Sequence, residues 1–160
     1  MTIRPSGFLF VAALLTALPR GALAEDLSVW LEKSSEGLVS LAYGPVDPAE
    51  TPLFLLSCFN AMGIAVLDVH KEIPDAKPGA PLTIDLSAGA TKALIEGEAA
   101  RDDASGVTFG EASDIAVKPI LEVLRAAGTL TITMGKTSAT LSDQGREQAV
   151  AKFSQDCQLD

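Results

Sequence analysis

Residues 128–157 read GTLTITMGKTSATLSDQGREQAVAKFSQDC, and this stretch organises the predicted fold. From residue 129 to 134, β-branched polar residues alternate with apolar ones, a pattern typical of a half-buried strand. Gly135 and Lys136 supply a two-residue turn, and residues 137–141 alternate again, so the sequence predicts a β-hairpin. The apolar residues expected to face the core are Leu130, Ile132, Met134, Ala139 and Leu141.

A helix is predicted directly after the hairpin. The side chains of Ser142 and Asp143 can accept hydrogen bonds from the first free amides of a helix, so we expect the helix to begin at one of them. The apolar residues that follow are spaced as on one helical face, which must pack against the sheet. They are Ala149, Val150, Phe153 and Cys157.

Cys157 has one candidate partner, Cys58, because the chain contains two cysteines. A bond between them would close a loop of about a hundred residues, for which the chain-entropy argument gives roughly 4 to 5 kcal/mol of stabilisation. The alternative is two buried thiols that pack as small hydrophobic residues. We expect the disulfide, because the N-terminus indicates an oxidising compartment.

Residues 1–24 have the pattern of a secretory signal peptide. Arg4 supplies the early positive charge, residues 8–18 form an apolar core, and the small residues Ala22 and Ala24 suit cleavage. The apolar run is too short to span a bilayer. We therefore expect a bacterial protein that is periplasmic or secreted, with no membrane span once the leader is removed.

The remaining residues, 25–160, are strongly acidic, and their number fits one domain. The whole chain has 21 Asp and Glu against 12 Lys and Arg, a net charge of −9, and the leader contains two arginines and no acidic residue, so its removal gives −11. This charge argues against nucleic acid and anionic membrane surfaces as partners, because both depend on basic patches. It permits a cationic protein partner, or it serves solubility alone.

The rest of the chain predicts a mainly antiparallel β-sheet. Residues 53–59 are apolar at almost every position, which predicts a central strand buried on both faces. A second helix is expected near Lys118, with Pro119 in its first turn and Gly128 after its end. The fold class is α+β: an antiparallel sheet or sandwich with two short helices packed near the C-terminus. The other predicted strands cover residues 27–31, 39–43, 64–71, 82–86, 91–99 and 107–109.

Trp30 and Tyr43 are the candidate binding residues. Trp30 lies on the strand face opposite Leu27, Val29 and Leu31, so it either covers a second core layer or stands at the surface. An exposed tryptophan is a frequent interface anchor, whereas a packed one is structural. A concave apolar patch around Trp30 and Tyr43 would indicate a binding site.

His70 is the one histidine in the chain, so a serine hydrolase triad would have to use it. Asp68 lies two residues away on the same strand face, and Ser57 or Ser87 is the candidate hydroxyl. No G-x-S-x-G motif marks a nucleophile, and both cysteines are expected to be paired. We therefore predict no catalytic residue and rank a hydrolase last among the functions considered.

The sequence predicts no metal or cofactor site. A single histidine cannot supply the clustered ligands of zinc, and residues 102–106 depart from calcium-loop spacing. Glu96 and Glu98 share a strand face, as a glycoside hydrolase requires of its carboxylates. Few aromatic residues are present to hold a sugar, so a solvated acidic face is the preferred interpretation. No phosphate-binding glycine loop or dinucleotide motif occurs.

The last third of the chain is predicted to form a helix, a hairpin and a second helix. It comprises Leu124-Arg125-Ala126-Ala127-Gly128, then Leu130-Thr131-Ile132, then Thr140-Leu141-Ser142 and a helix with Ala149. This arrangement resembles the C-terminal end of the invasion-associated locus B family. The resemblance implies an exported bacterial protein linked to host-cell entry or envelope function, and it transfers no functional residue.

Together these observations favour an exported, non-enzymatic protein that binds a partner or acts in the cell envelope. An inhibitor of a cationic secreted enzyme, such as a lysozyme, is the specific alternative within this class. A purely accessory structural role ranks second, and a small hydrolase using His70 ranks last.

Overall fold

The structure, a computed structural model, describes residues 27–59 and 64–158. The first four strands are β1 (Ser28–Ser35), β2 (Leu38–Pro45), β3 (Phe54–Phe59) and β4 (Ile64–Val69). The next three are β5 (Pro81–Ala88), β6 (Thr91–Arg101) and β7 (Thr108–Ser113). The remaining elements are α1 (Val117–Arg125), β8 (Leu130–Met134), β9 (Thr137–Leu141) and α2 (Arg146–Asp156).

The nine strands form one curled antiparallel sheet in the order β1-β2-β3-β4-β7-β6-β5-β8-β9. Strands β1 to β4 follow one another as a meander. The next three are placed in reverse order, so that β7 pairs with β4, and β8 then pairs with β5. The two edge strands of the sheet are therefore β1 and β9, and each pairs with one neighbour among the described strands.

Both helices contribute to a single core with one face of the sheet, here called the inner face. Helix α1 contacts β5 and β6, helix α2 contacts β1 and β2, and the helices contact each other. Alternate strand residues such as Leu56, Ile84 and Ile132 point to this face and are fully buried, as are Ile120 of α1 and Phe153 of α2. Each such side chain contributes about 1.5 to 3 kcal/mol through burial.

A disulfide joins Cys58 in β3 to Cys157, the residue after α2. The two Cα atoms are 6.1 Å apart, within the usual range for such bonds. The two cysteines are 99 residues apart in sequence. The predicted pairing is therefore confirmed, and it ties the last helix to the third strand.

The C-terminal hairpin and both helices are confirmed, but the predicted start of the last helix is wrong. Helix α2 begins at Arg146 after Gly145, which has a φ of +79°, and no side chain caps it. The hydroxyl of Ser142 accepts a hydrogen bond from the amide of Gln144, and the carbonyl of Asp143 accepts one from the amide of Arg146. These two residues therefore close the turn that precedes the helix.

The structure also corrects the predictions for two strands. Residues 53–59 were expected to be buried on both faces in a central strand, but β3 is third from the edge and only alternate residues are buried. Leu55 and Ser57 are half-buried on the opposite face, here called the outer face, because the helices cover one side of the sheet. Strand β7 runs on to Ser113, beyond the predicted residues 107–109, because it is paired on both sides.

The mainly antiparallel sheet with two helices is confirmed, while the sandwich alternative is not, since the described strands form one sheet. The sheet is not a simple meander beyond β4, where the chain passes two strand positions before it forms β5. The predicted leader, residues 1–24, lies outside the described residues.

Candidate functional site

Trp30 and Tyr43 lie side by side on neighbouring strands, with ring centroids 5.0 Å apart. Trp30 is 6% exposed, and its indole N–H donates to the carbonyl of Ser142 over 2.6 Å. The hydroxyl of Tyr43 accepts a hydrogen bond from the amide of the same serine, at 3.3 Å. The two aromatic residues thus hold the segment before α2, and a role in partner binding stays a prediction.

The exposed apolar surface lies beside β1 and β2. Trp30 points to the core, so Val29 and Leu31 point outward by strand alternation. Among the described residues, five large hydrophobic side chains are exposed: Leu27, Leu31, Leu38, Val46 and Leu94. The first four lie in or next to β1 and β2, and the fifth lies in β6.

Two of these residues, Leu31 and Leu38, border an apolar groove of about 370 Å³ on the outer face, here called the outer groove. Its floor includes Leu31, Ala42 and Leu55, which are consecutive across the sheet because Leu31 pairs with Ala42 and Ala42 with Leu55. Leu38 extends the floor along β2. The wall consists of Pro45 at the end of β2 and of the loop that follows, which contributes Pro48 and Pro52. Prolines restrict the backbone of this loop, so the wall is stiff.

Gly44 allows the loop to lie against the sheet. A Cβ atom at this position would lie 2.6 Å from the Cα of Pro52, closer than carbon atoms approach each other in proteins. The far end of the loop is held by His70, whose Nδ1 is 3.0 Å from the carbonyl oxygen of Pro52 and whose amide donates to the carbonyl of Leu53. The contacts at Gly44 and His70 therefore hold the loop in the position that forms the outer groove.

The rim of the outer groove carries charges. Asp47 and Glu50 are exposed in the loop, and Lys33 is exposed on β1. None of the three forms an ion pair within the described chain. The groove therefore offers apolar contacts along its floor and two unpaired carboxylates on its wall.

His70 lies in a separate, smaller pocket of about 220 Å³ with Thr51, Asp102, Ser105 and Phe109. A carbonyl oxygen can only accept, so Nδ1 of His70 carries a proton and donates a hydrogen bond to the carbonyl of Pro52, while Nε2 is not engaged in this bond. The imidazole ring stacks on Phe109, with centroids 4.6 Å apart.

The hydroxyls in the His70 pocket differ from those considered in the sequence. Ser57 and Ser87 do not line it, whereas Thr51 and Ser105 do. One carboxylate oxygen of Asp102 accepts hydrogen bonds from the amides of Ser105 and Ala104, which lowers the pKa of this acid. That oxygen serves to close the loop at residues 102–106.

Three carboxylates form a row across the outer face. Asp68 pairs with Glu111, and Glu111 pairs with Glu98, so the side chains stand on adjacent strands. Burial raises the pKa of Asp68, the charge of His70 opposes this rise, and the charge of Glu111 adds to it. No group of His, Cys, Asp and Glu side chains among residues 27–59 and 64–158 has an arrangement that could hold a metal ion.

The sequence did not identify the outer groove. Leu31 and Leu38 belong to strands with apolar residues on both faces, and alternation alone does not tell which face the helices cover. The available signal was the combination of Gly44 with three prolines at positions 45, 48 and 52. These residues indicated a stiff loop, but they did not show that the loop lies against the sheet.

In the part of the chain that the structure describes, neither helix has the length and apolar run needed to cross a membrane. Comparison of the chain with protein-family models, with curated proteins and with solved structures finds no match.

Proposed function

We propose that this protein is an exported, non-enzymatic binding module that holds an extended segment of a cationic protein partner in the outer groove. The observation that carries the proposal is the concentration of exposed large hydrophobic residues around β1 and β2, next to a preformed concave site. Contiguous exposed apolar surface of this kind usually marks a site of interaction. Leu94 stands apart on β6, where it borders a smaller pocket of about 270 Å³.

An extended segment fits the outer groove because β1 is an edge strand. A partner strand added along β1 gains main-chain hydrogen bonds, and its alternate side chains reach the face of the sheet on which the groove lies. Leu31 and Leu38 then contact apolar side chains of the partner. The mode of binding is strand addition with one face of the added strand packed on leucine.

A cationic partner follows from the charge. The chain carries a net charge of −9, and Asp47 and Glu50 on the groove wall are without ion pairs in the described residues. A lysine or arginine beside the apolar positions of the partner would pair with them, and complementary charge speeds association. The predicted leader and the disulfide support an envelope or extracellular setting, because disulfides persist in oxidising compartments.

The test is photocrosslinking from single positions in envelope extract. A photoreactive residue at position 31 or 38 is expected to capture one defined partner of basic composition, and the same residue at position 94 is the matched exposed control. Equal capture from all three positions, or none, would overturn the proposal. A lysis assay with a cationic lysozyme then decides whether the partner is an enzyme that this protein inhibits.

A second candidate function is hydrolysis at His70, favoured by the hydrogen bond that fixes the imidazole through Nδ1 in a pocket with Ser105 and Thr51. It requires an activity that His70→Ala abolishes with little change in melting temperature. Screening the protein with ester and peptide substrates at neutral pH tests this function separately from partner capture.

A further inference from the structure

Arg146, the first residue of α2, is a buried cation with an incomplete set of partners. Arg146 is 2% exposed, and its Nη2 donates to the carbonyl oxygens of Ala126 and Gly128, the latter at 2.7 Å. These carbonyls follow the end of α1, where backbone acceptors lack helical partners. Nη1 is buried and has no hydrogen-bond partner among the described residues.

Burial without a full set of partners is costly for a guanidinium group. Two carbonyls offset part of the lost hydration, but they supply no counter-charge. Burial lowers the pKa of Arg146, and the charge of Asp143 opposes that change. Arginine nevertheless stays protonated in proteins, so this position combines a permanent charge with an unfilled donor.

Arg146 lines a cavity of about 520 Å³ between the end of α1 and the start of α2, here called the helix cavity. Leu124 and Ala151 contribute apolar wall, while Asp143 and Glu147 bring two carboxylates to the same space. Both acidic residues are exposed and make no ion pair within the described chain. Because exposed side chains change rotamer at low cost, both carboxylates can turn toward a ligand held in the cavity.

We propose that the helix cavity binds a free α-amino acid with an apolar side chain. The carboxylate of the ligand pairs with the guanidinium charge of Arg146 and accepts a hydrogen bond from Nη1, since both hydrogens of Nη2 are already donated to carbonyl oxygens. The ammonium group pairs with Asp143 and Glu147, and the side chain lies against Leu124 and Ala151.

This site is separate from the outer groove. The helix cavity lies at the helices, which pack on the inner face of the sheet, whereas the groove lies on the outer face beside β1 and β2. Both are accessible in one molecule. Failure of one proposal therefore leaves the other unaffected.

The experiment is a calorimetric titration of the oxidised, purified protein with L-leucine, L-alanine and L-phenylalanine. We expect saturable binding of at least one of them and a rise in melting temperature that grows with ligand concentration. 4-Methylpentanoate and isopentylamine, which carry only the carboxylate or only the ammonium group of leucine, should bind at least about tenfold more weakly. No saturable binding of any of the three amino acids up to about 10 mM would overturn the proposal.

Variants locate the site. Asp143→Asn combined with Glu147→Gln should weaken amino-acid binding at least about tenfold, while Glu122→Gln, an exposed control on α1, should leave it unchanged. Arg146→Lys should abolish binding, with folding checked by circular dichroism because Arg146 also holds the end of α1. If the double variant binds as tightly as the native protein, the two carboxylates do not hold the ligand and the proposal is wrong. The proposal is also wrong if Asp143→Asn destabilises the ligand-free protein as much as Arg146→Lys does, because Asp143 is then the counter-ion of Arg146.

Discussion

Trp30 in β1 donates its indole N–H to the carbonyl oxygen of Ser142, which lies 112 residues further along the chain. The hydroxyl of Tyr43 accepts from the amide of the same serine, so both backbone groups of Ser142 are held by aromatic side chains of the first two strands. Together with the disulfide, these bonds connect the beginning of the sheet to the segment around α2. The C-terminal helix is thereby positioned by contacts with the opposite end of the chain.

Replacing Trp30 by Phe should destabilise the protein by about 2 to 4 kcal/mol, because the half-buried carbonyl of Ser142 loses its donor and the core loses volume. Tyr43→Phe should cost less, about 0.5 to 1.5 kcal/mol, since it removes a single hydrogen bond at a half-buried position. Urea unfolding of both variants measures the difference. A Trp30→Phe variant as stable as the native protein would contradict the structural role assigned here.

Removal of the disulfide by the double substitution Cys58→Ala and Cys157→Ala should lower the free energy of unfolding by about 4 to 5 kcal/mol, the chain-entropy value for a loop of this length. The loop spans 99 residues, so the unfolded chain gains much freedom. Chemical denaturation with and without a reducing agent provides the same comparison in the native sequence. A loss of unfolding free energy below about 1 kcal/mol would show that the disulfide restricts the unfolded chain very little.

Gly44→Ala should disturb the wall of the outer groove more than the core. The new methyl group would meet the backbone of Pro52, and the loop must move outward, at a cost of about 1 to 3 kcal/mol. We expect weaker photocrosslinking from position 31 in this variant, together with a fold that circular dichroism finds unchanged. Undiminished capture would mean that the loop does not shape the partner site.

Leu31→Glu should reduce partner capture about tenfold or more, because it places a charge on the apolar floor of the groove. Leu94→Glu is the matched control, since Leu94 is exposed on a strand away from the groove. Both substitutions lie at the surface and should change stability by about 0.5 kcal/mol or less. A pull-down from envelope extract compares the two, and a similar loss in both variants would argue against a specific site.

Asp68→Asn should stabilise the protein at neutral pH. The pKa of Asp68 is raised in the fold by burial, so the folded protein holds this proton more tightly than the unfolded chain does. Ionised Asp68 therefore lowers stability above its folded pKa, and this penalty disappears as the pH falls through the usual value of 3.8. Melting temperatures of the variant and the native protein should differ at pH 7 and converge near about pH 3. A difference in melting temperature that does not depend on pH would mean that Asp68→Asn acts through packing and not through ionisation.

Much of the fold was predictable where the pattern is local. The hairpin at residues 130–141 and the apolar face of α2 follow from alternation and helical spacing, and the Cys58–Cys157 pair follows from there being two cysteines. The start of α2 was missed because Ser142 and Asp143 use their hydrogen-bonding groups in the preceding turn. The length of β7 was missed because pairing with two neighbours decided it.

The candidate sites were largely hidden from the sequence. Trp30 was correctly placed on the face opposite Leu31, but only the packed structure shows that the tryptophan face meets the helices and the leucine face meets the loop at Pro52. Arg146 has no sequence feature that distinguishes it from other arginines. Its burial arises because the end of α1 lies beside the start of α2.

The sequence by itself determined which residues share a face, because the spacing of apolar and polar side chains is a property of each strand or helix alone. The tertiary structure decided which of those faces became the core, where β5 to β7 were placed in the sheet, and which apolar residues remained exposed. The physical reason is that burial depends on what packs against a surface. That is set by contacts between residues about a hundred positions apart, such as Trp30 with Ser142 and Cys58 with Cys157.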